Sequence, residues 1–450
     1  YKLIYDNPKT SGSVRNDIRR VIAKAYLKTE KPEAGMNYFL EAYSLAVLND
    51  EARAEAATWL LQAYLSMGEL ESILPYFKDL TGKKAALYNP KFNVDLIKAG
   101  DQLFENGNYD FAILFYAIVK RKDEIVAFYE GAVDQLKLAL TYREKGSEEA
   151  ISIEKRLREA QANLKAVRGI RDYDADVRWR SSRVLQESER IWEALWSFYN
   201  LMLDYPKHEQ AEEFLFLAFS MANKVNDYVM VVKLAKDYLA RPEYTKYRGQ
   251  ITLDLATYYL NNGYPQDFYD LATDYLENPE QDKVAYALNN MLALYLLERE
   301  LFAELFQRND AYHRNNPNMR GLRECSSYWK SLALIIQADY ERSLVSFNEF
   351  LEEYDSRSTF SEDAYYRRAI SLYGVQQPDE AYEKFTKFVT DYPESRNRGE
   401  AELYMGDIQR EKDQLDKALG HYRLVDEFTD RLLFVTKAVF AISEVLEVKR

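Results

Sequence analysis

The sequence predicts an all-α protein built as a solenoid of stacked helix pairs, on three observations. Prolines recur at a near-constant interval: Pro206, Pro242, Pro279, Pro317 and Pro393 fall 36, 37, 38 and 76 residues apart, with Asp355 at the midpoint of the long step. Runs of one character surround the last of these positions, "FLEEYDSRS" and "FVTDYPESR" for example. Gly (16) and Pro (11) are scarce, while 47% of residues are apolar and 30% charged, which suits a helical chain with ample core. A period of this length marks an array in which each unit contacts only its neighbours and the stack supplies the core.

The clearest unit is 360–395. Ala364, Ala369 and Leu372 share one helical face before "GVQQPDE", and Ala381, Phe385 and Phe388 share another after it. Pro378 suits a first helical turn, where a missing N–H is harmless, and Pro393 stops the second helix. The next window repeats the design: Gly406, Ala418 and Tyr422 take the places of Ala369, Ala381 and Phe385. Small residues sit where the two helices approach closely, and an aromatic fills the space between units.

This spacing of small residue, Ala, aromatic and closing Pro resembles the tetratricopeptide repeat. Gly100, Ala112 and Tyr116 fit it, as do Ser182, Ala194, Phe198 and Pro206. Units at 13–48 (Ala34, Tyr38), 52–81 (Phe77) and 320–356 (Phe347) match more loosely, and 208–317 keeps the period while losing most signature side chains. The resemblance implies a right-handed superhelical solenoid whose first helices line a concave groove. The "F-x-x-F-x-x-x-YP-x-S" ending is similar in particular to the bacterial envelope branch, which includes TolA-binding (division-coordinator) proteins and the lipoprotein of the outer-membrane β-barrel assembly machine.

Residues 125–171 interrupt the pattern, with no proline between Pro90 and Pro206 and no aromatic between Tyr142 and Tyr173. Ile125, Tyr129, Ala132, Leu136 and Ala139 step by 4, 3, 4 and 3, as do Ile153, Leu157, Ala160, Leu164 and Val167. That stepping is the seam of a packed helix pair. "KGSEE" reads as the turn between them, with Ser147 as N-cap. The expected organisation is an N-terminal array (1–124), a long antiparallel hairpin (125–171) and a C-terminal array (172–450). At the C-terminal end, "LLFVTKAVFAISEVLEVKR" reads as the first helix of a further unit, with Phe434, Val439, Phe440 and Val445 apolar.

Composition narrows function. The net charge of −13, with no long Lys/Arg stripe, disfavours nucleic acid and favours a protein or peptide partner. No run reaches the about 20 apolar residues of a membrane span, so association with a membrane would be through a lipid anchor or a membrane complex. The chain opens at Tyr1, so the absence of a visible signal peptide decides nothing about compartment. His208, His313 and His421 are dispersed, and Cys325 has no His nearby in "GLRECSSYW". No Gly-rich phosphate loop occurs. These features predict a non-enzyme without cofactor or metal, in which Cys325 is a buried or groove-facing thiol. The 37 tyrosines fit either edge packing or a tyrosine-rich groove.

Placed on the geometry that the resemblance implies, Trp179, Arg183, Tyr328, Ile335, Tyr366, Tyr373, Asp407 and Arg410 face the groove, with Tyr366 and Trp179 as the leading anchors. Trp192 and Trp196, four residues apart on a second helix, are expected in the core between units. The expected function is a non-catalytic scaffold that binds a partner protein or peptide in its concave groove, in a bacterial cell-envelope assembly and so in the periplasm. Two alternatives stay open: the repeat region of a larger enzyme or export machine, and a cytoplasmic peptide-binding adaptor.

Overall fold

The computed structural model describes residues 1–449 except 30–31, 47–49, 82–86 and 355–357, so Asp355 lies outside the described residues. Among the described residues every regular element is helical. Two compact units divide the chain, Tyr1–Tyr244 and Thr245–Arg450. The first holds α1 (Gly12–Tyr26), α2 (Met36–Leu45), α3 (Asp50–Met67), α4 (Pro90–Glu105), α5 (Tyr109–Ile118), α6 (Lys122–Thr141), α7 (Glu148–Arg168), α8 (Asp174–Glu187), α9 (Ile191–Asp204), α10 (Ala211–Lys224) and α11 (Tyr228–Leu239). The second holds α12 (Arg248–Asn261), α13 (Pro265–Glu277), α14 (Asp282–Glu298), α15 (Phe302–Asn315), α16 (Arg320–Ile336), α17 (Tyr340–Tyr354), α18 (Ser361–Gly374), α19 (Pro378–Asp391), α20 (Arg398–Glu411), α21 (Leu415–Phe428) and α22 (Leu432–Val448).

Both helix boundaries follow from local chemistry. Pro206, Pro279, Pro317 and Pro393 each stand two residues past the end of a second helix, and Pro90, Pro265 and Pro378 open α4, α13 and α19. From α8 onward the turn inside each pair is set by a left-handed residue. Glu189, Asn226, Gly263, Glu300, Ala338, Gln376 and Asp413 all have positive φ, and they recur 37, 37, 37, 38, 38 and 37 residues apart. Each makes the paired bonds that close a helix in a Schellman motif. At Ala338, for instance, its N–H donates to Ile335 O at 2.8 Å and the Asp339 N–H to Leu334 O at 2.9 Å. Over α8 to α21 the turn therefore keeps a period of 37 or 38 residues.

The two helices of a pair meet where the first carries a small residue. A Cβ on Gly100 would lie 2.5 Å from the Tyr116 ring, and one on Gly406 would lie 2.4 Å from the Tyr422 ring. Both tyrosines then donate to the aspartate beside the glycine, Tyr116 to Asp101 at 2.6 Å and Tyr422 to Asp407 at 2.8 Å. In two other pairs serines replace this lock: Ser182 and Ser197 are 2.7 Å apart, as are Ser331 and Ser346. Phe198, Phe347 and Phe385 are fully buried at the aromatic position. The 52–81 unit departs from the design, because a 3-10 segment, Leu70–Tyr76 with Pro75 inside it, and the short helix Phe77–Leu80 stand where a second helix would be.

The hairpin expected near 125–171 is α6 and α7, and Ser147 Oγ accepts from Ala150 N at 3.2 Å as the N-cap. It lies inside the first unit, and the division between units falls at 244/245 rather than at the hairpin. The chain leaves and re-enters the stack at one point. Tyr173 donates to Lys120 O at 2.7 Å, and Asp174 accepts from Lys122 N at 3.0 Å. With its ends tied, α8 packs on α5 as though the hairpin were absent. Only Ile125, Val133, Ala150, Leu164 and Val167 of the hairpin are buried.

Gly263 offers a clean test of the turn. Nothing lies within 4 Å of a Cβ built there, so Gly263→Ala adds only the strain of a left-handed alanine. Urea unfolding of the full chain should show a loss of about 1 kcal/mol; an unchanged midpoint would mean that the turn does not demand φ > 0.

Candidate functional site

Six of the residues expected to face a groove lie in the second unit and two in the first. In the first unit Trp179 and Arg183, one turn apart on α8, line a cleft of about 310 Å³ together with Asp101, Phe104 and Glu105 of α4, Tyr116 of α5 and Arg180. The Arg183 guanidinium lies 5.6 Å from the Trp179 ring centre and bonds to Glu187 at 3.3 Å. Arg180 Nε donates to Asp101 at 2.8 Å, which fixes the same carboxylate that Tyr116 engages. Trp179 Nε1 and Arg183 Nε are buried with no hydrogen-bond partner among the described residues. Such donors are costly to leave unpaired.

In the second unit the candidates separate. Tyr366 is a correction to the sequence reading: it is 0% exposed, packed against Phe385 and Phe388 with ring centres 6.2 and 5.5 Å away, so it belongs to the core. Tyr328 is buried as well, stacked on Phe360 at 4.0 Å and donating to Asp363 at 2.6 Å. Neither presents a ring for a partner, because each first helix is covered on that side by the aromatic residues of its neighbours. Ile335 is half-buried at the end of α16, where its carbonyl accepts from the Ala338 turn.

Tyr373, Asp407 and Arg410 do come together. Tyr373 donates to Glu411 at 2.6 Å, and Arg410 bonds to Glu444 at 2.6 Å and lies 3.8 Å from Asp407. Burial, followed by the Glu411 hydrogen bond and the Glu411 and Asp407 charges, holds the Tyr373 phenol well above its ordinary range. Beside them a second cleft, of about 390 Å³, is lined by Tyr340, Ile370, Tyr373, Gly374, Gln376, Pro378, Tyr404 and Glu411. Tyr340, Tyr404 and Glu411 were not legible as site residues, although the small residue Gly374, against which the Tyr340 ring packs, was a usable signal.

Two further expectations about side chains are settled by burial. Trp192 and Trp196 are 52% and 47% exposed, not core, since α9 buries Ala194, Leu195, Phe198, Tyr199, Leu201 and Met202 instead. Cys325 is buried, donating to Leu322 O and accepting from Asn289, each at 3.2 Å. Among the described residues no group of three His, Cys, Asp or Glu could hold a metal ion, and no helix is long and apolar enough to cross a membrane. His421 bonds Glu402 at 2.7 Å and Tyr382 at 3.1 Å, whereas His208 accepts from Gln210 N in the other unit.

Burial pushes the Cys325 thiol up to about 12. In the folded chain it should therefore resist a thiol-specific reagent at mildly alkaline pH and react only once denaturant unfolds the protein. Labelling at equal rates in both states would place it at the surface. The same shift makes the fold lose stability as pH rises above about 8.5, the ordinary thiol value, because only the unfolded chain then releases the proton.

Residues 363–395 match the Tetratricopeptide repeat family. Among solved structures, yeast Tom70 is 12% identical, with 98% of this chain and 96% of that chain covered and a TM-score of 0.35. A tetratricopeptide repeat protein from Parabacteroides merdae is 13% identical over 60% of this chain and 98% of its own, with a TM-score of 0.34. MamA from Desulfovibrio magneticus is 17% identical over 40% and 94%, with a TM-score of 0.33. A search of curated protein sequences gives no match. The α18–α19 pair is thus similar to a tetratricopeptide repeat, and the pairs around it repeat its left-handed turn at Gln376.

Proposed function

We propose that the protein is a non-catalytic scaffold that binds a partner protein or peptide along its first helices. The observation that supports this reading is the α4–α8 cleft, where half-exposed Trp179 and Phe104 stand among Asp101, Glu105, Arg180 and Arg183. Aromatic and Arg side chains in such settings dominate the energy of protein interfaces. Two buried donors in that cleft, on Trp179 and Arg183, lack partners among the described residues, and an incoming backbone or carboxylate that moves these side chains slightly would satisfy them. The first helices contribute most of the lining of both clefts, so binding energy is assigned to them rather than to the second helices.

The compartment follows from a different observation. The "YPES" ending at 392–395 motivates a place in a bacterial cell-envelope assembly, with the chain on the periplasmic side. Fractionation of the native organism that finds the protein in cytosol alone would remove this assignment and leave the scaffold reading intact.

Trp179→Ala combined with Arg183→Ala should weaken capture of the partner in a pull-down by about 2 kcal/mol or more, while helicity stays unchanged by circular dichroism. Loss of cooperative unfolding in the double variant would instead assign both side chains to the core, where removing a large aromatic costs about 3–5 kcal/mol.

A further inference from the structure

The cleft beside α18 and α20 differs in kind from the one at α8. Its lining residues are Tyr340, Ile370, Tyr373, Gly374, Gln376, Pro378, Tyr404 and Glu411, which include one carboxylate and no cation. Resting on the scaffold reading above and deepening it, we propose that this cleft receives a basic side chain, lysine or arginine, from the bound partner, held between tyrosine rings and the Glu411 carboxylate.

Three observations carry the inference. The first is the wall. Tyr340, Tyr373 and Tyr404 are each half-exposed, and Tyr373 meets Tyr404 edge to face at 5.6 Å. Aromatic faces are electron-rich and attract a cation placed over them.

The second is rigidity. Tyr404 stacks on fully buried Phe385 at 5.4 Å with an interplanar angle of 5°. The Tyr340 ring rests against Gly374, where a Cβ would lie 2.3 Å from it. Side chains already held in place lose little freedom when a ligand enters.

The third is charge. Glu411 is exposed at the end of α20, accepts from the Tyr373 hydroxyl and has no ion-pair partner among the described residues. The cations on either side of it in sequence are engaged elsewhere: Arg410 on Glu444 at 2.6 Å and Lys412 on Asp379. An anionic group, such as a peptide's terminal carboxylate, would find no countercharge in this lining. A cation would gain both the ring faces and an unpaired carboxylate.

The test selects random linear peptides on a display library against the full chain, then measures individual binders on wild type and on Glu411→Gln. Because Glu411 is exposed at a helix end, that substitution leaves the packing untouched. Selected peptides should share a Lys or Arg, their Kd should rise about tenfold on Glu411→Gln, and Tyr404→Leu should weaken them in the same direction. Replacing the shared basic residue of a peptide by norleucine should cost wild type the same factor and cost Glu411→Gln little more. Binders that ignore Glu411→Gln yet fail on Trp179→Ala overturn this inference while keeping the scaffold reading. A selection that yields no binder to the wild-type chain overturns both.

Discussion

The constraint on which the helix pairs depend is close approach, seen most sharply where a glycine of the first helix lies under an aromatic ring of the second. Gly100 beneath Tyr116 and Gly406 beneath Tyr422 leave no room for a β-carbon. In a globular domain one such contact would be shared among many neighbours. In a stack of pairs there is no common centre, so each unit's burial rests on its own close approach and on the next pair. The left-handed turn serves the same end. By closing the first helix with two bonds at a fixed residue, it sets where the second helix begins and therefore which residue its ring meets.

The abundance of tyrosine and of acid has one physical explanation. A tyrosine can bury its ring between helices and still donate its hydroxyl to a carboxylate at the edge, as Tyr116 does to Asp101, Tyr328 to Asp363, Tyr373 to Glu411 and Tyr422 to Asp407. Apolar burial and polar satisfaction come from a single residue, which suits thin layers where no side chain is far from solvent. It also means that core and cleft walls are made of the same residue types. Tyr366 and Tyr373 lie two turns apart on one face of α18, yet the first is buried in the core and the second lines a cleft.

The α6–α7 hairpin shows how an array tolerates an insertion. Its ends are tied by Tyr173 to Lys120 and by Asp174 to Lys122, so α8 finds α5 as the next first helix would find any second helix. Little of the hairpin is buried, and its own seam holds it together. Insertions of this kind map to one point between repeats and leave the neighbouring contacts unchanged.

Helical content, the repeat interval, the closing prolines, the hairpin with its Ser147 cap and the small–aromatic pairing were all legible in the sequence, because each is written in residues close along the chain. The turn residues were not: Glu189, Glu300, Ala338 and Gln376 carry no left-handed preference, and only the packing of both helices holds them there. The candidate site was legible in part. Trp179, Arg183 and Tyr373, expected to face a groove, line clefts, while Tyr366 and Tyr328 are core and Trp192 and Trp196 exposed. Helical periodicity by itself determined which residues share a face; the tertiary structure alone decided which face a neighbouring element covers, since that depends on side chains far along the chain, such as Phe360 over Tyr328 and Phe388 over Tyr366.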